Sequence, residues 1–221
     1  MKKTIIRLVT LAFVFCLLCA CEMQPAGETP SETAPIVEST APTVPSQWKA
    51  AYLDYLESQK DTYLYFALVY IDDDEIPELY LSGNCEAVGD AVCSYQNGTI
   101  HTVQLNRIGG GRYAERTGVI INQNGNMGHV YTHVYRLTKD GFILTFTALS
   151  AERIQDVGNE EYFLSYDYSI DDTPVSEEDY LAAVNAAFPF TQSRQLDEAA
   201  IPYDAIRQTL LDTEHPTEPA P

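Results

Sequence analysis

The stretch VYIDDDEIPELYL, residues 69–81, sets Asp72, Asp73, Asp74 and Glu75 between two apolar, β-forming flanks, with Glu78 just beyond Pro77. Carboxylates packed this densely have three uses. They can gather around a calcium ion, which takes six to eight oxygens. They can hold a proton for acid–base chemistry, which needs a cleft and a shifted pKa. They can also be a polar turn between two strands, ended here by Pro77.

Other residues carry chemistry by type and spacing. His129 and His133, in HVYTH, would share one face of a helix, within reach of one zinc ion. Val130, Val134 and the alternating aromatics read as a strand instead, where four residues span about 13 Å, too far for two ligands at about 2 Å. Cys85 and Cys93 flank Gly89 in GNCEAVGDAVC and are candidates for a disulfide closing a small loop; two separate thiols are the alternative. No nucleophile elbow, zinc-protease helix or phosphate loop is present, and Gly109-Gly110-Gly111 lacks a following Lys-Ser/Thr. Asp171-Asp172 is a second acidic pair at a turn. Fifteen tyrosines are unusual. Tyr63, Tyr65, Tyr80, Tyr95, Tyr131, Tyr135, Tyr162, Tyr166 and Tyr168 fall on expected strands. There they either pack half-buried sheet faces or form an exposed row that stacks sugar rings or anchors a peptide.

The elements that must position these residues follow from periodicity. Trp48, Ala51, Tyr52, Tyr55 and Leu56 recur with helical spacing, with Ser46 as the expected N-cap. Residues 62–71 read as a strand covered on both sides, paired with 78–82. The sequence AVCSYQ-NG-TIHTVQL predicts a hairpin through a type I′ turn at Asn97-Gly98. Further strands are expected over 112–121, 129–137, 142–149 and 161–170, with a polar loop near Gly158. A helix capped by Ser176 and Asp179 should bury Tyr180, Leu181, Val184 and Phe188; another, after Pro202, should bury Ile206, Leu210 and Leu211. The expected class is α+β: a curved antiparallel β-meander sheet covered by an N-terminal helix and two C-terminal helices.

The ends have a different composition. Residues 1–20 combine Lys2, Lys3 and Arg7 with the apolar run 8–18 and read as a secretory signal. Leu18-Cys19-Ala20-Cys21 resembles a bacterial lipobox. That resemblance implies cleavage before Cys21 and a diacylglyceryl group on its sulfur, two chains being enough for stable anchoring. Residues 21–46 are rich in Pro, Thr and Glu and are expected to form an extended, disordered linker, as are 214–221 as a tail. The globular domain is expected over 47–213. The chain has 13 basic and 32 acidic residues; loss of the three cations in the leader takes its net charge from −19 to −22. Such a surface repels phosphate backbones, so nucleic acid is not an expected partner, and the membrane must be held through lipid.

FALVYIDDDEIPELYL resembles a segment of secreted proteins and lipoproteins from Gram-positive gut anaerobes, with the pattern D-x-D-G-D-G-x-P-E-L between strands. That pattern is itself similar to EF-hand and dockerin calcium loops. YSIDDTPVSEEDY, residues 168–180, resembles the strand–turn–helix ending of the same group. The resemblance places the pattern's second and third aspartates on Asp72 and Asp74, and its glutamate on Glu78. It implies these three as ligands of a weak calcium site; no other cofactor is expected. This chain departs from the pattern where Tyr70 replaces the first ligand and Asp73 and Glu75 replace the glycines. The expectation is a lipid-anchored protein on the extracellular face of the cell membrane, whose domain is a non-catalytic module binding a glycan or peptide. The alternative is a secreted hydrolase, or hydrolase accessory, acting on the same polymers.

Overall fold

The computed structural model describes residues 44–158 and 161–212. The signal, Cys21, nearly all of the linker and the tail lie outside the described residues. Helix α1 (Val44–Gln59) opens the domain. It starts inside the expected linker, because Pro45 suits a first helical turn, so Ser46 lies within the helix instead of capping it. Trp48, Tyr52 and Leu56, four residues apart, form its buried stripe.

Four antiparallel strands follow, β1 (Tyr63–Val69), β2 (Glu78–Gly83), β3 (Asp90–Gln96) and β4 (Thr99–Leu105). Asn97 and Gly98 both have positive φ, as the type I′ turn requires. Next come β5 (Gly111–Ala114), β6 (Val119–Asn126), β7 (His129–Thr138), β8 (Gly141–Gly158), β9 (Glu161–Ile170) and β10 (Thr173–Val175). Helix α2 (Glu177–Ala187) is capped by Ser176, whose hydroxyl accepts from the Asp179 N–H at 3.1 Å. The chain then forms β11 (Ser193–Gln195), β12 (Ile201–Pro202) and α3 (Tyr203–Asp212).

The α+β class, the antiparallel connections and the three helices are as expected. The strands, however, divide into two sheets, ordered β12-β1-β2-β3-β4 and β10-β9-β8-β7-β6-β5-β11. Three apolar seams hold four layers together. Trp48, Tyr52, Leu56, Ile206 and Leu210 pack on Phe66, Leu79, Leu81 and Cys93 of the first sheet. That sheet's other face, Val69, Tyr80 and Val92, meets Tyr113, Ile120 and Leu137 of the second. The second sheet's far face, Ile121, Val134 and Ala148, is covered by Tyr180, Val184 and Phe188. Leu181 and Leu211 were expected inside but are about half exposed, because they point off the buried stripes of α2 and α3.

Stacking explains why β2 and β3 are buried along nearly their whole length: apolar layers cover both faces. The late strands β11 and β12 return to cover the β5 edge and the β1 edge, which would otherwise offer unpaired backbone groups. Residues 112–121 do not make the one strand expected. Arg116 and Gly118 take positive φ and turn the chain between β5 and β6. That turn ties the sheets together, the Arg116 and Gly118 N–H groups donating to the carbonyls of Tyr70 and Ile71 at 3.0 and 2.7 Å. Strand β8 runs to Gly158, well past the expected end at Leu149. Beyond Ala151 it pairs with β9 alone, and its polar sequence AERIQ hid the strand.

Candidate functional site

The acidic knot joins β1 to β2. Asp72 Oδ1 accepts the Asp74 N–H at 3.2 Å, and Asp74 Oδ1 accepts the Ile76 N–H at 2.7 Å. From β3, the Gln96 side-chain amide donates to Asp72 Oδ2, Asp74 Oδ2 and Ser94 Oγ. Glu78 begins β2 and is only 1% exposed. Its Oε2 accepts the Ile71 N–H at 2.8 Å, while Oε1 has no hydrogen-bond partner, alone in this among the described buried side-chain oxygens and nitrogens. Burial pushes Glu78 well above the usual carboxylate range, and the charges of Asp72 and Asp74 push it further. Asp72 is raised too, chiefly by burial.

Of the three implied calcium ligands, Gln96 bridges Asp72 and Asp74, which already carry backbone and amide donors, while Glu78 is turned inward onto the Ile71 N–H. Among the described residues, no group of three or more His, Cys, Asp or Glu side chains is arranged to hold a metal ion.

Of the two alternatives for Cys85 and Cys93, the structure shows separate thiols. Cys85 is exposed in the β2–β3 connection, and Cys93 is buried; both are free thiols. Strand alternation turns Cys93 into the seam beneath α1, where its sulfur lies 3.4 Å from Thr102 Oγ1. Burial pushes its thiol up to about 11, so it stays protonated at neutral pH.

The tyrosines separate by layer. Tyr63, Tyr80 and Tyr95 are buried, and Tyr65, Tyr131 and Tyr166 are exposed. The side chain of Tyr162 lies outside the described residues. On β7, Tyr131, His133 and Tyr135 alternate onto one face, with successive ring centres 6.3 Å apart. The Tyr131 and His133 rings are parallel within 6°. His129 and His133 do lie on one strand.

Register builds a groove beside these rings. Leu149 and Thr147 of β8 stand opposite Tyr131 and His133, and Ser169 of β9 stands opposite Leu149. Asp171 and Asp172 close the rim from the two-residue turn between β9 and β10. These residues line a hollow of about 310 Å³. A neighbouring hollow of about 650 Å³ shares Leu149, Ser169 and Asp172 and continues toward Arg153, Asp167 and Glu177.

The acidic turn is held in place. Both aspartates have positive φ, 47° and 63°, where glycine would be less strained. Asp171 exchanges two hydrogen bonds with the Thr147 backbone, each 2.9 Å, one through its own N–H and one through Oδ1. His133 Nδ1 is 3.0 Å from Thr147 Oγ1, and burial lowers its pKa, so the ring is neutral at physiological pH. A neutral aromatic wall beside hydroxyls and carboxylates suits apolar packing on one side of a ligand and hydrogen bonding on the other.

Sequence reading named Tyr131 and His133, the latter for a different role, and treated Asp171-Asp172 as a turn. It missed Thr147, Leu149 and Ser169. The period-two spacing of Tyr131, His133 and Tyr135 was the available signal; the rest depended on register across three strands.

No protein-family model, curated protein or solved structure matches this chain.

Proposed function

We propose that this protein is a lipid-anchored module on the outer face of the cell membrane, and that it binds a glycan in the groove beside Tyr131 and His133. The exposed Tyr131 ring, parallel to His133 at the wall of a polar groove, carries the reading. A pyranose ring presents an apolar face that packs against such an aromatic wall, while its hydroxyls reach Thr147, Ser169, Asp171 and Asp172. Rigid rings also bind at low cost in side-chain entropy. The strongly shifted carboxylate Glu78 is sealed inside the domain, not set in a cleft open to substrate, which favours binding over hydrolysis.

Two experiments test the two halves. Cys21→Ser should move the protein from the membrane fraction to the supernatant, since one serine cannot carry the acyl chains; a variant that stays in the pellet contradicts the anchor. On a glycan and peptide array, the soluble Cys21→Ser chain should retain oligosaccharides, and adding Tyr131→Ala should weaken retention about tenfold or more, as loss of an aromatic stacking partner does. Retention that Tyr131→Ala leaves unchanged, or retention of peptides alone, contradicts the site or its ligand class.

A further inference from the structure

We propose that the groove selects amine-bearing sugars, glycans whose rings carry free ammonium groups, over their N-acetylated or neutral counterparts. The inference rests on the groove being the glycan site proposed above. Its two hollows are lined by Asp167, Asp171, Asp172 and Glu177, and their one basic residue, Arg153, is paired with Asp167. The carboxylates face a neutral His133, so the lining has a clear negative excess. The chain as a whole is also strongly acidic, at −19, and its field has the same sign.

Position strengthens the argument. Asp171 is fixed by its bonds to Thr147, and the strained turn carries Asp172 onto the rim shared by both hollows. A ring stacked on Tyr131 and His133 lies beside this carboxylate pair, where an ammonium substituent donates charge-assisted hydrogen bonds. An acetamide in its place offers one neutral donor and an added carbonyl that faces carboxylates. Along β8, Thr147, Leu149, Ala151 and Arg153 share the groove side over about 20 Å, so an oligomer presents several ammonium groups to it.

Calorimetric titration of the soluble Cys21→Ser chain tests this at pH 7, where most of an amine of ordinary pKa near 8 is charged and His133, lowered by burial, is neutral. The probes are a β-1,4-linked glucosamine tetramer, its fully N-acetylated counterpart and a lysine tetramer. The expected result is that the glucosamine tetramer binds about tenfold tighter than the acetylated one, on the order of one charge-assisted hydrogen bond. The difference should narrow in Asp172→Asn and in high salt, and Tyr131→Ala should weaken both sugars' binding about tenfold or more. Equal or tighter binding of the acetylated tetramer overturns the selectivity and leaves the glycan groove standing. Lysine tetramer binding as tight as glucosamine also overturns it, since charge alone would then suffice. Sugar binding that Tyr131→Ala does not touch removes the groove itself.

Discussion

Asp90→Ala is expected to destabilise the domain by about 3–5 kcal/mol, because one buried carboxylate satisfies two buried donors. Asp90 opens β3 and is 5% exposed. Its Oδ2 accepts the Tyr80 hydroxyl at 2.8 Å, and its Oδ1 accepts the Gly83 N–H at 3.0 Å. Alanine strands both donors and leaves a void. The Gly83 N–H cannot find a new partner by a backbone shift, since the β2–β3 connection is tightly packed; a Cβ on Gly83 would come within 2.0 Å of the Gly89 carbonyl oxygen. Burial and the Asp90 charge also push the Tyr80 phenol upward, so it remains a donor across the working pH range. In thermal melts the loss should be about 10 °C, at roughly 2–4 °C per kcal/mol for a domain of this size. Asp90→Asn retains an acceptor and should lose less. A midpoint for Asp90→Ala within a degree or two of the parent would show that the carboxylate does not organise this end of the sheet.

Glu78→Gln should have the second large effect, of opposite sign, growing with pH. Glu78 is held near Asp72 and Asp74, and the Tyr52 hydroxyl on α1 belongs to the same buried neighbourhood. Its folded pKa lies above the unfolded value, so the acid form is favoured by folding. That contribution is complete below the unfolded pKa, near 4.3, and is lost as pH rises through the folded value. The parent should therefore become less stable as pH climbs through that window, by up to about 1.4 kcal/mol per pH unit for one proton. Asp72, shifted the same way, adds to the slope. Glutamine keeps an oxygen for the Ile71 N–H and directs its amide toward the neighbouring carboxylates without a charge to bury. Urea unfolding from pH 4 to pH 9 should show the two proteins converging in acid and diverging above it, with Glu78→Gln more stable. Parallel curves would mean that Glu78 does not titrate in this window.

Local signals carried the elements but not their assembly. The α1 stripe, the Asn97-Gly98 hairpin, the Ser176 cap and the α3 start are each written within a few residues, and each holds. The division into two sheets is not local. It depends on Val69, Tyr80 and Val92 meeting Tyr113, Ile120 and Leu137, a seam between segments tens of residues apart. Strands β10, β11 and β12 are too short for any periodicity, and tertiary pairing alone makes them. The acidic knot was visible as a turn, yet the inward burial of Glu78 was not, because glutamate is rarely sealed in an interior. The groove was the least legible part. Tyr131 and His133 advertise themselves by alternation, but their companions come from β8, β9 and a turn about 40 residues on.

A ligand in the proposed groove touches His133, and the histidine ring spectrum reads that contact directly. With the four histidines labelled with nitrogen-15 in the soluble Cys21→Ser chain, a bound oligosaccharide is titrated in and each imidazole followed. The expected result is a saturable shift of the His133 resonances, with His101, which faces Gly141 on the other sheet, unchanged. Saturable binding that leaves His133 still, or moves His101 instead, would place the ligand elsewhere and contradict the account.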